Sequence, residues 1–245
     1  MNIMRLGDHL TRFSNAIYSV ESHCLDFASA AQLLQYAGGI EGIKYSAASE
    51  AGMYCSGVAE FERQQEVAVT PFLKAQAVFT VTWMALESMI DEINPPGASQ
   101  IGKIGRLCLY LKDGNDAVVI PAGYNEFVVE WINLEKGLDT GYRPRTSLPD
   151  HVIPIGEGVY RVYSLRNHLF HGDFSGFYPT DERWNVYTKT LELGTRLVAI
   201  TIQMALMIYF KDSGYMETSW AYYLFPEEDE ISITKGFSKL HLSEH

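Results

Sequence analysis

The chain has 245 residues, of which 47% are hydrophobic, and a formal net charge of −11. This composition allows a sizeable core in one domain or two. The acidic balance argues against a broad, non-specific grip on nucleic acid, which needs clustered lysines and arginines, although a small local positive site remains compatible with it.

Cysteine usage and the apolar runs favour a soluble, cytoplasmic protein without a membrane partner. Cys24, Cys55 and Cys108 form no CxxC pair, which excludes zinc ribbons and redox dithiols. Charged residues interrupt "MNIMRLGDHLTRF", so this stretch is not a signal peptide. The longest apolar run, residues 197–210, is short for a bilayer span and suits a buried core helix.

Residues 1–66 form the first predicted segment, which is helical but of uncertain packing. Apolar residues recur at helical spacing in its first part, and Ala37–Gly42, "AGGIEG", interrupts the pattern. Residues 43–65 are small, polar and glycine-containing, and their pattern assigns no element. The residues that carry the helical spacing are Leu6, Leu10, Phe13, Ile17, Leu25, Ala28, Leu33 and Leu34.

Residues 67–210 form the second predicted segment, a helical bundle with irregular loops. Its first helix starts with Thr70 as N-cap and Pro71 in the first turn, and Asn94–Gly97 ends it. A long loop, Asp139–Gly156, separates the earlier helices from the later ones. The remaining predicted helices are Ser99–Lys112, Phe127–Leu134, Glu157–His171 and Glu182–Phe210.

The third segment, residues 211–245, reads as a short strand-containing appendage because of "WAYYLF" and "ISIT". We therefore expect a mostly α-helical chain, with the three segments forming one compact unit.

Arg166 lies on the apolar side of the predicted helix 157–171. At about 100° per residue it falls in the middle of the apolar arc. A guanidinium there needs a partner, because burying it alone is costly. The alternatives are an acid on the preceding long helix (Glu87, Asp91 or Glu92), a helix C-terminal carbonyl, a second subunit or an anionic ligand such as phosphate. The apolar arc comprises Val159, Val162, Leu165, Leu169 and Phe170, and the polar side Tyr160, Ser164, Asn167, His168 and His171.

His171 ends the same predicted helix and precedes Gly172, a residue type common just past a helix C-terminus. A histidine there either serves as a C-terminal cap or acts as a general acid or base near pH 7. Arg166 and His171 are about 140° apart on an ideal helix. They converge only if the helix ends or distorts near His171, or if two copies of the chain build the site.

The stretch "SLRNHLFHGD" resembles the signature of HEPN-domain proteins: arginine, a polar residue, a short spacer, then histidine. Arg166, Asn167 and His171 match these positions without a gap. The ending "LFHGD" and the upstream acidic helix "ALESMIDEI" resemble the Apea-like branch of that family. The resemblance extends over residues 67–210 and implies a HEPN-like bundle.

The resemblance implies a metal-independent endoribonuclease without cofactor, active in defence or as a toxin. It further implies a homodimer that acts on RNA, with a regulatory or antitoxin protein as a further partner. By position, His171 would be the general acid and base, Arg166 would hold the scissile phosphate, and Asn167 would orient the phosphate or the histidine. Candidate supporting residues are His168, Asp173 and Glu87; we expect His168 to face solvent or the phosphate.

Two other interpretations stay open. The chain is a non-catalytic, HEPN-like dimeric scaffold in which Arg166 pairs with an acid across helices, or the motif match is due to chance. Arg143 and Arg145 in the long loop offer a basic contact for RNA, but two arginines more often form part of a solvated loop. Trp83, Trp131 and Trp184 are expected in the core.

Overall fold

The computed structural model describes residues 2–20, 26–47, 49–97, 99–138, 142, 147–170, 181–211 and 232–243. Helices dominate these ranges, which confirms the mostly α-helical fold. In chain order they are α1 (Leu6–Tyr18), α2 (Ala28–Gly38), α3 (Glu50–Tyr54), α4 (Ser56–Ile93), α5 (Gly102–Asp113), α6 (Tyr124–Glu135), α7 (Pro154–Phe170), α8 (Arg183–Tyr209) and α9 (Ile233–Lys239). Short 3-10 turns occupy Ser99–Ile101 and Asn115–Ala117.

Helix α8 is the centre of the core. It packs against α4, α5, α6, α7 and α9, and from Leu193 to Ile208 every residue except Arg196 is buried. It is long and apolar enough to cross a membrane by length and composition, yet 83% of its most apolar window is buried inside the protein. Burial of apolar surface between α8 and its neighbours therefore stabilises the bundle. Each Å² of apolar surface removed from water contributes roughly 25 cal/mol to the free energy of folding.

A glycine brings α6 and α8 close together. Gly194 faces the indole of Trp131, and a Cβ at this position would lie 2.9 Å from Cζ3 of that ring. Trp131 is fully buried, and Trp83 and Trp184 are also in the core, as the sequence predicts. The missing side chain of Gly194 thus makes room for the largest side chain of the core.

Helix α4 starts 15 residues before Pro71, the first helical residue that the sequence predicts. It begins at Ser56, so Thr70 and Pro71 lie inside a 38-residue helix instead of capping it. Pro71 is exposed and cannot donate to the carbonyl of Val67. Packing of α4 against α2 and α8 outweighs this local penalty. The predicted end is confirmed, because Asn94 closes the helix in the left-handed conformation, with φ 47°.

The described part of the C-terminal appendage contains a helix where a strand is predicted. Within "ISIT", Ser232 is the N-cap of α9, and its Oγ accepts a 3.3 Å hydrogen bond from the amide of Lys235. Ile233 is the first helical residue and is buried with Phe237. A serine placed before a helical spacing of apolar residues favours a capped helix over a strand. The stretch "WAYYLF" lies outside the described residues.

The two ends of the described chain are joined to each other and to α8. Ile3 and Leu242 form an antiparallel bridge, and the amide of Met4 donates to the carbonyl of His241 at 3.0 Å. Arg196 of α8 donates to the carbonyl of Met4 at 2.9 Å. The residues around α1 and α9 therefore form one packed layer over α8.

Two histidines are buried in this layer. The rings of His9 and His241 lie 6.1 Å apart, and both residues are fully buried. Burial, the nearby cation of Arg196 and His241 itself lower the pKa of His9 well below its usual range. Burial also lowers the pKa of His241, and its hydrogen bond to the Ala122 carbonyl, 2.7 Å, opposes that shift.

Candidate active site

Helix α7 carries the motif at its C-terminal end. Pro154 is its first residue, a position where proline costs no hydrogen bond, and Glu157 lies in the first turn. The helix packs against α5, α6 and α8, so it is covered over more than one face. The predicted split into one apolar and one polar side is therefore wrong for three residues: Tyr160 and His168 are buried, whereas Phe170 is 47% exposed.

The described residues include only part of the predicted site. Arg166, Asn167 and His168 lie in the last two turns of α7, and Glu87 lies on α4. His171 follows Phe170 directly in the sequence but lies outside the described residues. Asp173, Arg143 and Arg145 also lie outside them.

The guanidinium of Arg166 sits between two aromatic rings. Its Cζ lies 5.0 Å from the ring centre of Phe170 and 5.9 Å from that of Trp83, both within the range of cation–π attraction. Its Nη1 donates a 3.3 Å hydrogen bond to Oδ1 of Asn167. Its Nε is buried and has no hydrogen-bond partner within the described part of the chain. The side chain keeps 29% of its surface exposed, so the guanidinium is oriented but not enclosed.

Glu87 is the acidic partner of Arg166. Oε1 of Glu87 lies 3.6 Å from Nη2 of Arg166 and also accepts a 2.8 Å hydrogen bond from the indole Nε1 of Trp83. The Glu87 side chain is 40% exposed, so solvent screens this pair. The sequence indicates three acids as possible partners of Arg166. Glu87 is the one that lies near it, whereas Asp91 accepts a 2.7 Å hydrogen bond from Lys103.

The aromatic residues around Arg166 form a stacked series, which we call the aromatic ladder: Tyr163, Trp83, the guanidinium of Arg166, and Phe170. Tyr163 and Trp83 have ring centres 6.1 Å apart and planes 14° from parallel. The ladder runs from the core, where Trp83 is 2% exposed, to the surface at Phe170. It fixes the side chain of Arg166 through packing instead of through a strong ion pair.

His168 does not face solvent, which corrects one of the two positions expected from the sequence. It is buried, and its ring packs edge-on against Tyr142, with centres 5.7 Å apart. The hydroxyl of Tyr142 donates a short hydrogen bond to Glu135 at the end of α6. His168 therefore belongs to the packing between α6, α7 and the loop that precedes α7.

Glu135 is a buried acid that sequence reasoning does not single out. Its side chain is 1% exposed and lies 3.2 Å from Nη1 of Arg161, whose Nε donates at 2.7 Å to Glu157. The i, i+4 spacing of Glu157 and Arg161 is the one sequence signal for this network. The three charges and the Tyr142 hydroxyl form a partly buried polar network, with Glu135 at its buried end, that joins α6, α7 and the loop.

The described residues contain no group of three or more His, Cys, Asp and Glu that could hold a metal ion. Burial raises the pKa of Cys108 to about 12, so its thiol stays protonated and is a poor nucleophile. The chemistry that the described site supports is binding of an anionic group by Arg166, beside an exposed aromatic ring.

Comparisons of the chain with known proteins identify no similar protein. No family model matches the chain, and no curated protein or solved structure is significantly similar to it.

Proposed function

We propose that this chain is a metal-independent endoribonuclease of the HEPN type. The observation that carries the proposal is the environment of Arg166: two rings hold its guanidinium at the last turns of α7, five residues before His171, with one long contact of 3.6 Å to Glu87. A guanidinium that is oriented, partly exposed and weakly paired suits a phosphate, since its planar fork matches phosphate oxygens.

The reaction would need only groups that this chain and RNA supply. The ribose 2′-oxygen attacks the adjacent phosphorus and loses its proton to a neutral imidazole of His171. An O2′–P bond forms and the P–O5′ bond breaks, and the leaving 5′-oxygen takes its proton from a His171 imidazolium, which restores the neutral imidazole. Arg166 would stabilise the charge that develops on the phosphate. Asn167 accepts a hydrogen bond from Arg166 and would keep the guanidinium oriented toward the phosphate. The products are a 2′,3′-cyclic phosphate and a 5′-hydroxyl.

The proposal includes a homodimer in the cytoplasm, with the motifs of two copies facing one cleft, and a role in defence or as a toxin. A dimer would supply two arginines to one cleft, which offsets the low cation content of an acidic chain. An antitoxin or another regulatory protein would control such an activity.

The test is cleavage of total RNA and tRNA by the purified protein in EDTA. We expect wild type to cleave, leaving 2′,3′-cyclic phosphate ends, and His171→Ala to be folded but inactive. His151→Ala is the matched control, because it removes a histidine from the loop before α7, and it should cleave like wild type. Full activity of His171→Ala would refute this mechanism.

A second candidate function is a non-catalytic scaffold of the same fold. The ion pair between Arg166 and Glu87 favours it, because it joins α7 to α4 as a structural arginine would. In that case Arg166→Ala would weaken folding or dimerisation, and wild type would leave RNA intact.

A further inference from the structure

We propose that Phe170 is a stacking platform for an unpaired nucleobase beside the scissile phosphate, which makes single-stranded or looped RNA the substrate class. This inference rests on the ribonuclease function proposed above.

Phe170 is the outer end of the aromatic ladder. Arg166 covers part of its ring at 5.0 Å, and 47% of the residue remains exposed. A nucleobase is a planar π-system of the same kind as the other members of the ladder, so it can form the next layer on this ring.

The position of Phe170 in the chain also fits this role. It directly precedes His171, and consecutive Cα atoms are about 3.8 Å apart. Its ring also contacts Arg166, the group proposed to bind the phosphate. A base on Phe170 would therefore belong to a nucleotide next to the phosphate that Arg166 holds, which gives the ring a direct influence on substrate choice.

The charge of the protein makes stacking more important than in most RNA-binding proteins. With 19 Lys and Arg against 30 Asp and Glu, the chain gains little from neutralising many phosphates. Base–aromatic stacking does not depend on net charge. We therefore expect RNA binding that depends weakly on salt and strongly on Phe170.

If a base must stack on Phe170, intact RNA duplexes are poor substrates. In A-form RNA the bases are stacked on each other within the helix, and proteins read its shape and its 2′-hydroxyls instead. A base reaches the ring of Phe170 only where it is splayed out, as in single strands, loops and bulges.

The test is binding of three fluorescein-labelled RNAs, a single strand, a hairpin and a blunt duplex of related sequence, in the His171→Ala background. Phe170→Ala should lower the affinity for the single strand about tenfold. Phe170→Trp should retain it, because indole also stacks. Phe61→Ala is the matched control, since Phe61 is similarly exposed, at 44%, but lies in the first half of α4, and it should change affinity less than twofold.

The outcomes separate this inference from the proposed function. If Phe170→Ala in the otherwise wild-type chain cleaves and binds single strands as well as wild type, the inference is wrong and the ribonuclease stands. If Phe170→Ala changes the oligomeric state in light scattering but not the affinity per site, Phe170 belongs to an interface and the inference is also wrong. If wild type neither cleaves nor binds RNA, both fail.

Discussion

The guanidinium of Arg166 and the carboxylate of Glu87 lie 3.6 Å apart, and the indole of Trp83 already donates to the same carboxylate oxygen at 2.8 Å. The hydrogen bond from the indole to Glu87 is therefore short, whereas the distance from Glu87 to Arg166 is near the upper limit for an ion pair. Because both side chains are partly exposed, the pair contributes little to folding, of the order of 0–1 kcal/mol. This weak coupling is what allows Arg166 to exchange one anionic partner for another.

Arg166→Ala separates the enzyme from the scaffold. We expect it to lower the free energy of unfolding by only about 1–2 kcal/mol, the sum of a screened ion pair and two cation–π contacts. RNA cleavage should be abolished. Arg166→Lys should keep the fold but recover little activity, because an ammonium cannot form the planar fork. Urea denaturation and the EDTA cleavage assay measure both quantities, and a folding defect above about 3 kcal/mol would favour the scaffold.

Pro71→Ala tests the continuity of α4. In a helix interior proline costs about 3 kcal/mol relative to alanine. Proline also restricts the unfolded chain, and losing that restriction costs up to about 1 kcal/mol of stability. We therefore expect the substitution to raise the free energy of unfolding by about 2 kcal/mol. Thr70→Ala is the control, with an expected change below about 0.5 kcal/mol. Were Thr70 a helix N-cap, its loss would instead cost about 1 kcal/mol. Thermal and urea unfolding of both variants measure these effects.

The helices were largely predictable because their apolar spacing is also their packing pattern. The pattern misplaces the start of α4, because Pro71 is locally a helix-start signal and only packing of α4 against α2 and α8 overrides it. Similarly, the buried state of His168 depends on Tyr142, which is distant in sequence. The sequence identifies Glu87 as one of three acids near Arg166, but the choice among them depends on the relative rotation of α4 and α7.

Arg161→Met tests the buried polar network. It would leave the Glu135 carboxylate, 1% exposed, with Tyr142 but without its cation, so we expect a loss of about 3 kcal/mol in the free energy of unfolding. The double variant Glu135→Gln/Arg161→Met should cost clearly less than the sum of the two single changes, because it leaves no unpaired charge at the buried position 135, while Glu157 loses Arg161 equally in the single and the double variant. Additive losses in urea denaturation would show that the two groups do not interact.

The buried histidines predict that acid destabilises the fold. The pKa of His9 is lowered in the folded protein, so below its ordinary value near 6.5 the unfolded chain binds more protons than the folded one. Stability is therefore highest above that value and falls as the pH drops toward the folded-state pKa, by up to about 1.4 kcal/mol per pH unit for this group.

His9→Gln isolates this effect. Between pH 7.5 and pH 5.5, we expect wild type to lose about 1 kcal/mol more than the variant, because carboxylate titration is common to both. Urea denaturation at the two pH values measures the difference. Equal losses in the two proteins would show that His9 is not responsible.

The burial of α8 also bears on how the protein is made. A ribosome releases the chain from its N-terminus, and α1 to α7 precede α8 in that order. When this long, largely buried helix leaves the exit tunnel, the helices that cover most of it have already been synthesised. The apolar surface of α8 can therefore pack against these helices soon after it emerges. Chaperones and other chains then have little time to bind it. Were the same helix encoded first, that surface would wait uncovered for the rest of translation.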